Sequence, residues 1–508
     1  MTAICIMVLG TTSNAGKSWL ATALCRYYSN LGFKVAPFKA QNMSNNARVV
    51  GGGDMGEGGE IGSAQYFQSL AARVIPDVRM NPLLLKPEAD THSQVVLLGQ
   101  VNQTLTDLPW HGRSELVWPH IAGALDSLRA ENDIVVIEGA GSPAEINLMD
   151  SDVVNLRVAR YANARCLLVT DIDRGGAFAH LYGTWALMPE EDRALLHGFV
   201  LNKFRGDASL LSPAPERLEE LTGIPTVATL LMWREHGLPE EDGVFDDGFV
   251  SGIPSGERPL VTIAVVAYPR MSNLDEFQPL KNIRGVRLIW VRSAAQLSNL
   301  ATQDWIILPG SKNTRSDLAW LKERRMDAPI AVHAKQGGRV LGICGGLQML
   351  GTRIVDQGGV ERSNDPTDFE TTGLGLLPLE TVFAENKTVQ RTSASFGGLH
   401  GAWQALSNVA VTGYEIHHGV TQSKKSPLRE AKLDMASEPI SGLAWQSREG
   451  NVLGIYLHGM FEDSAVMQAL WGADAPSLDA VFEGLANFLD THVDTGFLSK
   501  LVAKLART

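Results

Sequence analysis

Cysteine is scarce in this 508-residue chain, with only Cys5, Cys25, Cys166 and Cys344 and no CxxC pair. That spacing excludes a disulfide framework and offers no zinc pattern, so a reducing, cytoplasmic setting is expected. An excess of positive charge is also missing. The formal net charge is −12, from 44 Lys and Arg against 56 Asp and Glu. This balance argues against nucleic-acid partners and against an anionic membrane surface. Long apolar runs are lacking too. The stretch Ala3 to Leu9 is too short to span a bilayer, has no basic n-region or cleavage site, and reads as a strand. Internal repeats and low-complexity tracts are absent. A chain of this length exceeds one ordinary core, so two or three domains are expected.

What is present is a rhythm of short apolar runs separated by helical patterns. ICIMVLG (4–10), DIVVIEG (133–139), CLLVTDID (166–173) and GFVLNKF (198–204) lack polar alternation, as parallel strands covered on both faces do. Lys17–Asn30 and Trp110–Asn132 supply crossovers. The rhythm lapses into Gly, Ser and Pro around FVSGIPSGERP (249–259) and resumes with LVTIAVVAY (260–268), VRLIWVR (286–292), DWIILPG (304–310) and GRVLGIC (338–344). The expectation is α/β: two doubly wound domains, 1–250 and 260–508, joined by a linker at 251–259. The tail after Ser477 reads as helical, with Val481, Leu485, Phe488 and Leu489 on one face, and is assigned to the second domain. GGGDMGEGGE (51–60) reads as a flexible loop.

GTTSNAGKS, Gly10 to Ser18, stands between a strand and a helix. Its first glycine comes one residue earlier than in a Walker A loop, but the chemistry fits. Successive backbone N–H groups of Gly10, Thr12, Ser13, Asn14, Ala15 and Gly16, with a helix N-terminus, suit phosphate oxygens. Lys17 would neutralise β/γ charge and Ser18 would ligate Mg²⁺. A carboxylate is needed beside them. Glu138 ends one apolar strand, while Asp171 and Asp173, in DIDRGG, end another and compete for the role. Asn202, in NKFRGD, is a candidate for a purine edge. Three polar stretches near strand ends, FKAQNMSNNA (38–47), MNPLLLKPEADTHSQVV (80–96) and SPAEINLMD (142–150), favour a large polar substrate over plain loops.

A second chemistry lies in GICGGLQ (342–348). Gly-Ile-Cys-Gly-Gly has the spacing of a nucleophile elbow, in which a strained strand-to-helix turn exposes Cys344 and the helix N-terminus favours its thiolate. The backbone N–H groups of Ser311, in LPGSKNT, and Gly345 are candidates for an oxyanion hole. His458, in NVLGIYLHG, is the candidate base, with His417 and His418 as competitors. The other cysteines read as small buried hydrophobes.

GICGGLQ, LPGSKNT and YLHG resemble a class I glutamine amidotransferase domain of flavodoxin-like fold. GTTSNAGKS, EGAG and Asn202 resemble a dethiobiotin synthetase-like P-loop NTPase domain. The combination resembles the cobalamin-pathway amidases, to which FKAQNMSNNA, EIGSAQ, MNPLLLKP, SQVVLLGQ, EGAGSPAEINL, DIDRGGAF, NKFRGD and LPEEDG are also similar, from about Thr2 to about Phe461. The resemblance implies ATP- and glutamine-dependent amidation of the b, d, e and g carboxylates of adenosylcobyrinic acid a,c-diamide, with ATP and Mg²⁺ and with small molecules as partners. It places metal and phosphate contacts at Lys17, Ser18, Glu60 and Glu138, and substrate contacts at Lys39, Asn42, Ser44 and Asp150. It also implies a shielded path for ammonia. Many amidotransferases of this class carry an acid two positions after the histidine; here that position is Met460, and Glu462 has a different spacing. The third triad member is left unassigned. A same-architecture amidase acting on another acid, such as cobyrinic acid, and a P-loop ATPase switch remain as alternatives.

Overall fold

The computed structural model describes residues 2–51, 58–89, 92–109, 112–239, 260–361, 369–423, 436–472 and 477–503. The expected linker, the centre of the glycine-rich stretch and most of LPEEDG lie outside these residues. Two parallel-rich sheets organise the rest. The N-terminal sheet has six strands in the order Thr226–Leu231, Leu196–Phe204, Arg165–Asp171, Ile4–Gly10, Ile134–Glu138 and Val35–Phe38. All its pairings are parallel. Its central residues, Ile6, Met7, Val8 and Leu9, are fully buried, which explains the unbroken apolar run. Helix Lys17–Asn30 covers one face, and Ser114–Glu131 the other.

The C-terminal sheet has seven strands in the order Val286–Val291, Val261–Val266, Trp305–Leu308, Arg339–Ile343, Val452–Ile455, Ala444–Gln446 and Ser437–Ile440. The first five pair in parallel with the flavodoxin order 2-1-3-4-5, and the last two are antiparallel. In both sheets the chemistry-bearing motifs follow the C-terminal ends of central strands, where crossover helices diverge and leave a crevice. No helix among the described residues is long and apolar enough to cross a membrane.

Three features differ from expectation. Two of the three polar stretches hold strands: Gln41–Met43 pairs with Leu83–Ala89, which forms a hairpin with His92–Leu97. Gly59–Gly62, at the end of the glycine-rich stretch, pairs with Ala47–Val50 and is buried. A long ribbon, Leu379–Ser395 with Ala410–Ser423, also escaped the periodicity, because it is largely polar and sends only a few side chains, such as Leu379, Phe383 and Val411, into the C-terminal core.

The tail is the largest correction to the domain boundaries. Helix Leu478–His492 has the expected apolar stripe, but Val481, Phe482, Leu485 and Leu489 pack into the N-terminal core with Leu20, Leu24 and Tyr28. Phe488 meets Trp19 edge-on at 5.5 Å and stacks on Trp233 at 5.1 Å. Arg26, buried, binds Asp479 at 2.6 Å and Glu483 at 3.0 Å, and the Tyr28 hydroxyl donates to the Leu498 carbonyl at 2.9 Å. A stripe declares that a face is buried, not against which partner. Replacing Leu485 by Ala should therefore destabilise the nucleotide-side half by about 2–5 kcal/mol. Urea unfolding followed by the fluorescence of Trp19 and Trp233 checks this, and an unchanged midpoint would refute the packing.

Candidate functional site: two cavities

The phosphate loop leaves strand Ile4–Gly10 and enters helix Lys17–Asn30 through two left-handed residues, Asn14 (φ 60°) and Gly16 (φ 103°). The Lys17 ammonium donates to the carbonyls of Thr12 (2.9 Å) and Gly141 (3.2 Å), folding back over the loop as a phosphate-binding lysine must. The Ser18 hydroxyl donates to Glu138 Oε1 at 2.8 Å. Of the three competing acids, Glu138 is thus the one bonded to Ser18. Asp171 meets Lys203 at 3.2 Å, and Asp173 is paired with Arg205.

Glu138 is wholly buried. Burial alone raises its carboxyl, but Lys39, at 2.8 Å, and hydrogen bonds from Lys39, Gln68 and Ser18 bring it below the ordinary value. Asn202 donates to the Ala15 carbonyl at 2.9 Å and accepts from Lys203 N–H at 2.9 Å. It braces the loop from strand Leu196–Phe204, two strands away in the sheet.

Lys17, Ser18, Lys39, Asn42, Glu138 and Asn202 line one cavity of about 850 Å³. Its remaining wall mixes apolar groups such as Phe67, Trp233 and Trp290 with Asp275 of the C-terminal half and Val481 of the tail. Ser44 is buried nearby in sequence and accepts from Asn46 N–H at 3.0 Å. Two expected residues stand elsewhere. Asp150 is exposed and does not line the cavity. Glu60 is buried between Lys86, at 2.6 Å, and Lys387, which hold its carboxyl well below the usual range against the opposing effect of burial. It does not line the cavity with Ser18 and Glu138. Among the described residues no group of three His, Cys, Asp or Glu is placed to hold a metal. The hydroxyl and carboxylate of Ser18 and Glu138 fit Mg²⁺ in the P-loop manner, in which phosphate oxygens supply further ligands.

The second cavity, about 600 Å³, has Cys344 in its wall. Cys344 joins strand Arg339–Ile343 to helix Gly345–Leu350 at φ 51° and ψ −104°, a strained conformation for a side chain-bearing residue. The neighbouring glycines make room for it. A methyl on Gly346 would run into the Leu308 carbonyl oxygen, and one on Gly345 would lie 2.8 Å from Ser311 N. That close approach brings the Ser311 and Gly345 backbones together beside the sulfur.

His458 lies just past strand Val452–Ile455, and its ring fills the space at Gly310, where a methyl would stand 2.7 Å from Cε1. The glycine of LPGSKNT is therefore a requirement of the histidine. His417 stacks on Tyr456 at 4.0 Å and meets Glu415 at 3.1 Å, while His418 meets the Ala384 carbonyl at 3.1 Å. Burial lowers His418 to about 4.

The unassigned acid is Glu276. Its Oε1 meets His458 Nδ1 at 3.0 Å, and its Oε2 accepts from Gly459 N–H at 3.0 Å. It rides on the short turn Leu274–Phe277, far from the histidine in sequence, and no local spacing could have revealed it. Glu462, the nearby candidate, binds Arg48 instead, at 2.6 Å. Burial works against a charged His458, but Glu276 and the Cys344 sulfur outweigh it and raise the ring to about 10.

The two halves therefore define a class: a triad-type glutamine amidotransferase domain joined to a P-loop nucleotide-binding domain. Comparisons agree. Residues 262–466 match the CobB/CobQ-like glutamine amidotransferase domain, and residues 6–241 match the CobQ/CobB/MinD/ParA nucleotide binding domain. The chain is 68% identical to the cobyric acid synthase of Variovorax paradoxus (strain S110), covering 99% of this chain and 100% of that one. It is 66% identical to that of Acidovorax ebreus (strain TPSY), with the same coverage, and 58% identical to that of Leptothrix cholodnii, covering 98% and 97%. The chain belongs to the cobyric acid synthase family.

The raised His458 sets a pH dependence. Its contact with Glu276 stabilises the fold fully below the ordinary 6.5 and is lost as pH rises through about 10. Glu276→Gln removes the charge that raises the ring. The alkaline limb of glutamine hydrolysis should then move to lower pH, and kcat should fall roughly 100-fold or more. A limb that stays in place would exclude Glu276 from the triad.

Proposed function

We propose that the chain amidates the b, d, e and g side-chain carboxylates of adenosylcobyrinic acid a,c-diamide, giving adenosylcobyric acid. Glutamine is the nitrogen donor, and ATP activates each acid. The observation that carries this reading is the pairing of a Cys344–His458–Glu276 triad with a phosphate loop backed by Glu138 in one chain.

Glutamine binds at the Cys344 cavity. The sulfur attacks the side-chain amide, and the developing oxyanion is met by the N–H groups of Ser311 and Gly345. His458, held by Glu276, gives its proton to the departing ammonia. Water then cleaves the thioester to release glutamate. In the other cavity a substrate carboxylate attacks the γ-phosphoryl group of ATP. Lys17 offsets the charge that develops on the phosphate oxygens. Ser18 and Glu138 would hold Mg²⁺, which would supply further charge neutralisation, and Asn202 keeps the loop in shape. Lys39 and Asn42 line this cavity and serve the acid substrate, with Ser44 close by in sequence. Ammonia displaces phosphate from the acyl phosphate and forms the amide. Activation is required because a free carboxylate at neutral pH is a poor acyl donor.

The Cys344 cavity is walled partly by Asn45, Lys86 and Glu88 of the nucleotide half, which supports passage of ammonia across the seam rather than through bulk water. A regulatory ATPase would have no use for the triad.

Cys344→Ala should abolish glutamine-dependent amidation while leaving ammonia-dependent amidation in place. Lys17→Ala should abolish both. Corrinoid products resolved by mass, one mass unit lower for each acid converted to amide, provide the readout. Glutamine-dependent turnover by Cys344→Ala, or amidation by Lys17→Ala, would overturn the assignment.

A further inference from the structure

Arg48 belongs to the nucleotide half, on strand Ala47–Val50, yet its guanidinium is plugged into the back of the glutaminase triad. It is 2% exposed. It forms ion pairs with Asp275 and, at 2.6 Å, with Glu462. It lies over the faces of Phe67 (4.9 Å) and Tyr414 (5.1 Å). Two of the contacts on the C-terminal side lead to triad members. Asp275 directly precedes Glu276. Tyr414 stacks on the His458 ring at 5.4 Å and exchanges two backbone hydrogen bonds with His458, of 3.1 and 2.9 Å.

Two further bonds cross the seam at the same turn. Ala47 N–H donates to Asn273 Oδ1 at 3.0 Å, and Leu274 N–H donates to Asn46 Oδ1 at 2.9 Å. Asn273 is held there in a left-handed conformation, φ 57°. The residues leading into Glu276, Asn273 to Asp275, are thus clamped by the nucleotide half. The clamping segment runs back from Arg48 through Asn42 to Lys39, which bonds Glu138 in the nucleotide cavity.

We infer that Arg48 is a positioning residue for glutamine hydrolysis. Through Asp275 and Tyr414 it sets the Glu276–His458 contact, so the triad is complete only when the nucleotide half is docked. A buried arginine is needed because Asp275, itself buried, would otherwise be an uncompensated charge directly beside Glu276. The arrangement ties ammonia release to the half that consumes it. The inference rests on Cys344 being the glutaminase nucleophile.

The test uses the full chain. Arg48→Met should lower kcat for glutamine hydrolysis by about tenfold or more, as expected when a catalytic group is misplaced by a fraction of a bond length. KM for glutamine should stay within about twofold, since the pocket itself is untouched. Ammonia-dependent amidation should remain near the unaltered rate, and Arg48→Lys should recover part of the lost kcat. The double variant Arg48→Met with Glu462→Gln removes one of the two acids that Arg48 pairs and should show the same split. An unchanged kcat, or parallel loss of glutamine- and ammonia-dependent rates in both variants, overturns the inference. Absence of glutamine hydrolysis in the unaltered protein would instead overturn the functional reading, so the two failures are distinguishable.

Discussion

A carboxylate removed from water must be met by a partner, and the seam between the two sheets is governed by that demand. Glu276, fully buried, is held by the His458 ring and the Gly459 N–H. Its neighbour Asp275 is held by Arg48, and Glu60 by Lys86 and Lys387. In each case loss of one partner would strand a charge in a low-dielectric interior. A seam built this way resists sliding, because few arrangements satisfy all these charges together. It holds two reactive cavities in fixed relation.

Fixed relation matters because the two chemistries need opposite conditions. At the cysteine, a proton donor and a strained elbow must stand ready before glutamine arrives. On the proposed route, the phosphate cavity must keep water from an acyl phosphate. The same segment, Lys39 to Arg48, takes part in both places. The tail helix Leu478–His492 closes the nucleotide side with Val481 in its wall, which is why a C-terminal element folds with the N-terminal core.

Much of the scaffold was legible. Buried parallel strands are apolar throughout, so Ile4–Gly10, Arg165–Asp171 and Val261–Val266 stood out as runs. The phosphate loop and the cysteine elbow were legible because their chemistry lies within a few consecutive residues. The strands around Asn42 and Glu60 were not, since polar side chains buried between two halves look like solvated loop. The tail's stripe was legible, but its partner was not.

Neighbouring residues dictate the local devices: the strand-to-helix loop from Gly10 to Ser18, the elbow from Gly342 to Gly346, and His458 at a strand's end. Each depends on backbone geometry that near neighbours dictate. Tertiary structure alone decided that Glu276 would orient His458, that Glu138 rather than Asp171 would meet Ser18, and that Arg48 would reach across the seam. These are contacts between side chains distant in sequence, chosen by strand order and by the need to pair every buried charge. No spacing along the chain encodes them.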